Sequence, residues 1–125
     1  MDLRYSVAVR AVYPLAAGAN VRRGQPLSVA PSGNVVQVMP AGTNLTFVGI
    51  ALDSYTNAPA GTQVEVVREG VVSLPFTGSA PPIWMGVLLY WNGSAYTFAA
   101  SGNTAVGRVI GVEGNVARVV IRTVV

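Results

Sequence analysis

The sequence contains no cysteine, no histidine and no lysine. The first two absences remove disulfides, thiolate nucleophiles, imidazole acid–base chemistry and the usual zinc ligand sets. Without histidine or lysine, a serine nucleophile has no general base to activate it. Charge is scarce too: 10% of residues are charged, where a globular domain commonly has about a quarter. The five acids, Asp2, Asp53, Glu65, Glu69 and Glu113, are scattered along the chain, so an oxygen-ligated metal site has no cluster to draw on. Glu65 and Glu69 would share one strand face about 13 Å apart, beyond the carboxylate separation that glycosidases use. Residues 18–24 hold two glycines in a loop but have no lysine and no following helix, so they fail the phosphate-loop pattern. The expectation is a protein that is not an enzyme and uses no cofactor, metal or small-molecule substrate.

Long apolar segments are missing as well. The most apolar run, residues 81–91, is too short to span a bilayer and contains proline and glycine. The opening MDLRYSVAVRAVYP lacks the uninterrupted apolar core of a signal peptide, so a soluble, non-secretory chain is expected, with no membrane partner. No segment sustains a 3.6-residue apolar period, which argues against long helices.

What is present is alternation. In residues 62–75, Val64, Val66, Val72 and Leu74 share one parity while Glu65, Glu69 and Ser73 share the other, the pattern of a strand with one buried face. Gly70 falls where a bulge or bend would interrupt it. Residues 3–13 alternate in the same way up to Pro14, and predict a strand or an arm that orders against a neighbour. Short strands are predicted over 27–30, 35–39, 45–52, 87–91, 96–99, 105–112 and 116–123. Turn residues separate them, notably Pro31-Ser32-Gly33-Asn34, Asn92-Gly93-Ser94 and Glu113-Gly114-Asn115. Ile83, Trp84 and Met85 could form one helical turn. The two halves of the chain align loosely, and in that alignment Asp53 and Glu113 follow matching strands. They could pair, but solvated loop carboxylates are the ordinary reading. The fold expected is all-β: a small barrel or sandwich of about eight to ten short strands, readable as two related halves. Residues 1–15 form an N-terminal strand or arm and residues 16–125 a single barrel-like domain.

A chain of 125 residues with 51% hydrophobic residues can bury a real core, yet it leaves little charge for its surface. Such a surface is expected to be covered by partners. All eight basic residues are arginine, for a net charge of +3. Arginine forks suit protein interfaces, although a GC-rich coding sequence also favours them. Arg22 and Arg23, with Tyr90, Trp91, Tyr96 and Phe98, admit a nucleic-acid-binding barrel as an alternative, but the charge excess is mild and aromatics at strand positions are more often core. Trp91 reads as core, and Ile83, Trp84 and Met85 as an exposed contact patch.

The layout resembles a family of small phage head decoration, or capsid cement, proteins. The resemblance rests on Glu69-Gly70-Val71-Val72-Ser73-Leu74-Pro75, the strand Gly86-Val87-Leu88-Leu89-Tyr90-Trp91, Val106-Gly107-Arg108-Val109 and the valine-rich end. Gly24-Gln25-Pro26-Leu27 and Val48-Gly49-Ile50-Ala51 look like first-half counterparts, so it covers roughly residues 16–125. The sequence departs from the family pattern at Gln25 and at Met85-Gly86-Val87, where an acidic residue after the glycine is common. The resemblance implies a structural virion protein on the outer surface of a phage capsid, made in the host cytoplasm. It would bind the major capsid protein, stabilise the mature head and sit as a homotrimer, with no nucleic-acid partner. A tail-tube or head–tail connector barrel is the alternative. Position and composition then nominate Arg4, Tyr5, Val7, Val9, Arg10, Arg22 and Arg23 for capsid binding, and Ile83, Trp84 and Met85 for the oligomer interface.

Overall fold

The structure is a computed structural model describing residues 4–30, 37–40 and 47–122. The described residues contain nine strands and no helix: β1 (Arg4–Pro14), β2 (Pro26–Ala30), β3 (Gln37–Pro40), β4 (Phe47–Ala51), β5 (Gln63–Thr77), β6 (Leu88–Trp91), β7 (Tyr96–Thr97), β8 (Thr104–Glu113) and β9 (Val116–Arg122). The predicted turn Pro31-Ser32-Gly33-Asn34 lies outside the described residues.

Strand β5 is the axis of the molecule. One of its edges carries β4 at Val66 and Val67 and then β9 from Glu69 to Pro75. The other carries β1 from Gln63 to Ser73 and then β7, in parallel, at Phe76 and Thr77. Strands β5, β7, β6, β8 and β9 thereby close into a five-stranded barrel, with β1, β4, β2 and β3 as further strands. The two halves repeat one topology. The order β3–β2–β4–β5 in the first matches β7–β6–β8–β9 in the second. Leu27 opposes Gly49 in one and Leu89 opposes Gly107 in the other, each pair followed at once by a register shift.

Each half has its own core. Leu15, Val21, Leu27, Val48, Ala51, Ala58, Val64 and Val66 form the first. The second includes Ile50, Val67, Val72, Leu74, Leu89, Trp91, Tyr96, Val109, Val119 and Ile121. The alternation on β5 buries Val64, Val66, Val72 and Leu74 completely, as their parity predicts. Val67 is equally buried although its parity is the wet one. The β4–β5 ladder explains this, because it is a partition between the cores: the pair Ala51–Val66 faces one core and Ile50–Val67 the other. Parity is restored by bulges opposite Gly70, where β1 has an extra Ala8 and β5 an extra Arg68.

Strand β1 is laid antiparallel along β5 from Arg4 to Pro14, and Ala11 and Tyr13 pack on the first core. The loops at 15–25 and 53–61 zip together beyond it, through Val21 N–H to Tyr55 O (2.9 Å), its reciprocal (2.8 Å) and Ala58 N–H to Ala19 O (3.0 Å). Ile83 to Met85 form no helical turn; a bend there ends with Val87 N–H donating to Trp84 O (3.0 Å). Between two prolines and a glycine, helix nucleation has no following residues to propagate into.

The β6–β7 hairpin shows how a single side chain sets a turn. Asn92 Oδ1 accepts from Ser94 N–H (2.9 Å) and Ala95 N–H (2.8 Å), replacing backbone partners that the turn cannot supply. Asn92→Ala should therefore lower stability by about 1 kcal/mol, read as a shift in the urea midpoint with an unchanged slope. An unchanged midpoint would mean the turn holds itself.

Candidate functional site

The candidate site residues fall on three surfaces. The first is a cleft of about 620 Å³ between the two halves. Its upper wall is the turn carrying Arg22 and Arg23, and its floor is formed by Phe76, Trp91 and Tyr96. The turn is held from several sides. Arg22 N–H donates to Gln25 Oε1 (3.0 Å), Arg23 N–H to Ser54 Oγ (2.9 Å) and Gly24 N–H to Ala51 O (2.8 Å). Tyr96 Oη–H donates to Gly24 O across a buried 2.6 Å bond that ties the first half to the second. Burial raises the Tyr96 phenol well above its ordinary pKa by penalising the phenolate. The Arg22 and Arg23 side chains are exposed and make no ion pair among the described residues.

The second surface is an apolar groove lined by Phe47, Met85, Leu88, Val106, Ile110 and Val120, with Arg108 and Arg122 also on its wall. Met85 is 62% exposed and Ile83, two residues away, 81%. Trp84 is half-buried and packs on the second core, so this part of the nominated patch serves the fold. No charged residue occurs between Glu69 and Arg108, a stretch that includes the second half of β5, the whole bend, β6 and β7. Depletion of charge is the compositional mark of an interface centre, and that gap is legible in the sequence.

The third surface is β1 with its surroundings. The nominated Arg4, Tyr5 and Val7 lie opposite Ser73, Val72 and Gly70 of β5. Val9 is partly exposed, and Arg10 pairs with Glu65 at 3.1 Å in solvent, a contact worth at most about 1 kcal/mol. The structure thus brings Arg22 and Arg23 into one cleft and Met85 into the apolar groove. Of the nominated β1 residues with described side chains, Val9 and Arg10 line neither.

Sequence reasoning missed the outer face of β8 and β9. There Arg118 and Arg122 alternate with Val116 and Val120 on β9, and Arg108 and Ile110 are exposed on β8. Arg122 reaches Glu69 only at 3.7 Å, and Arg108 donates to Gly86 O (2.9 Å). The Val-Arg alternation of 116–122 was the available signal. Of the four aromatics considered for base stacking, Trp91 and Tyr96 are buried and locked edge to face at 4.8 Å, and Phe98 packs edge-on against Phe76 at 5.0 Å. Trp91 and Tyr96 are core, as the strand pattern led one to expect for Trp91, Phe98 packs against that core, and Tyr90 is half-buried on β6.

Among the described residues no three potential metal ligands cluster, and no helix is long and apolar enough to cross a membrane. The fold and its surfaces define a small all-β module whose exposed faces carry arginines and apolar side chains. The chain belongs to the phage cement protein family, whose model matches residues 46–123. It is therefore a structural virion protein associated with the phage head. The match spans β4 to β9, so of the two first-half counterparts Val48 to Ala51 lies within it and Gly24 to Leu27 before it. The fold is similar to the crystal structure of the head fiber gp8.5 N base of bacteriophage phi29, with a TM-score of 0.58 at 16% identity, over 90% of this chain and 94% of that one. At that identity the likeness concerns the fold alone. No curated protein matches the chain.

Proposed function

We propose that the protein binds the outer surface of a phage capsid and cements the mature head, acting by binding alone with no catalytic step. Family membership carries this reading. The surfaces support it, since unpaired arginines and exposed aliphatic side chains are what a partner with carboxylates and apolar patches would cover. The partner is the major capsid protein. Its contact uses Arg4, Tyr5, Val7, Val9 and Arg10 of β1 together with Arg22 and Arg23. Because β1 is already paired with β5, it engages the capsid as part of the folded sheet.

The protein assembles as a homotrimer through the charge-free bend at Ile83 and Met85, whose exposure leaves apolar surface to be covered. Ile83→Asp with Met85→Asp should convert the trimer to monomer in light scattering while leaving the fold intact, because neither side chain belongs to a core. A wild-type monomer, or a variant that stays trimeric, would remove this interface.

The test of capsid binding is co-sedimentation with expanded heads lacking the protein, with DNA as a control. Saturable binding at a fixed number of copies per capsid subunit supports cementing. Absence of binding, with rings or tubes formed by the isolated protein, would move it to the tail or connector.

A further inference from the structure

We propose that the cleft between the two halves is a binding site for an acidic, extended peptide segment, which on the reading above is supplied by a capsid subunit. Three observations lead there. Among the described residues the cleft wall carries Arg22 and Arg23 and no carboxylate, so its charge has no counter-charge there. The turn bearing them is fixed by bonds to Gln25, Ser54 and Ala51 and by the buried Tyr96 bond to Gly24, so the backbone from which the two forks extend needs no ordering on binding. The volume, about 620 Å³, falls within the roughly 300–1,000 Å³ of ligand pockets.

The chemistry of the walls selects a peptide over a nucleic acid. Arginine forks recognise carboxylates and phosphates alike. A base, however, would need an aromatic face, and the Trp91 and Tyr96 rings are 5% and 1% exposed and occupied by each other. What remains around the rim are Gln25, Ser94 and Asn115, which offer amide and hydroxyl groups to a peptide backbone, above an apolar floor for alternate side chains.

The isolated protein would be titrated with a synthetic peptide of alternating glutamate and valine, and with its glutamine counterpart, following the Trp91 and Tyr96 resonances by NMR. The acidic peptide should shift them saturably. Arg22→Glu with Arg23→Glu should weaken that binding at least about tenfold, as removal of two charge-assisted pairs requires. Ser94→Trp, which fills the cleft from an exposed turn, should do the same without reversing charge. Equal response to both peptides, no response, or unaltered binding by the double variant would overturn the proposal. Head binding is read in parallel against Ala100→Glu with Ser101→Glu, which adds two acids on an exposed turn outside the cleft and the other surfaces. Loss in the first double variant alone supports the cleft, and retention in it overturns the assignment. Wild-type protein that binds the peptide but not heads would reject the capsid reading and leave the cleft standing.

Discussion

Gly107→Ala is expected to destabilise the protein by roughly 3 kcal/mol or more, and Gly107→Val to prevent folding. A Cβ at Gly107 would stand 2.4 Å from the Val120 carbonyl oxygen and 2.6 Å from Val119 Cγ1, distances that only movement of the β9 backbone could relieve. The barrel needs this approach because β8 folds closely over β9 at the residue where its pairing with β6 shifts register. Gly49 occupies the same place in the first half, 2.6 Å from the Val67 carbonyl oxygen, with φ +153° adding backbone strain for any other residue. Gly49→Ala should therefore be similarly damaging. Gly111→Ala is the control on the same strand, since its Cβ would meet Arg118 at an ordinary 3.5 Å. Thermal unfolding should show a fall of roughly 10 °C for Gly107→Ala and Gly49→Ala and little change for Gly111→Ala. A Gly107→Ala protein melting with the wild type would mean that β8 does not approach β9 as described.

Tyr96→Phe should cost about 1–3 kcal/mol, because it leaves the Gly24 carbonyl buried without its donor. The loss would fall on the link between the halves and on the Arg22–Arg23 turn. The same tyrosine gives the protein an alkaline limit. Its folded pKa is raised, so its proton is held more tightly folded than unfolded. The contribution is fully present below the unfolded tyrosine value of about 10 and is lost as pH climbs from there through the folded pKa. Denaturation followed between neutral and strongly alkaline pH should show wild-type stability declining above about pH 10, with a shallower decline for Tyr96→Phe. Parallel declines would show that Tyr96 is not the group responsible.

Much of the fold could be read from the sequence because alternation and turn chemistry are local. Strands β1, β8 and β9 follow from period-two patterns, and Asn92-Gly93 and Gly114-Asn115 mark hairpins that form where expected. The partition role of β4 and β5 was not legible. It requires both faces of one ladder to be buried by different cores, and Val67 then looks like an error in the pattern. Nor was the parallel contact of β5 with β7 legible, since it spans two residues and closes a barrel whose strands are distant in sequence. The site follows the same division. Arg22-Arg23 announces a basic turn, but the cleft beneath it is assembled from separate segments that include Ser54, Trp91, Ser94 and Asn115, none of them distinctive alone. The arginines of β9 were visible as alternation, yet valine-rich strands read first as core.

The cementing role is tested most directly by heating DNA-filled heads that lack the protein, with and without adding it back, and recording the temperature at which DNA is released. The account predicts release at a higher temperature once the protein saturates its sites, with the gain lost for Arg22→Glu with Arg23→Glu. Release at the same temperature, with the protein bound at full occupancy, would contradict it.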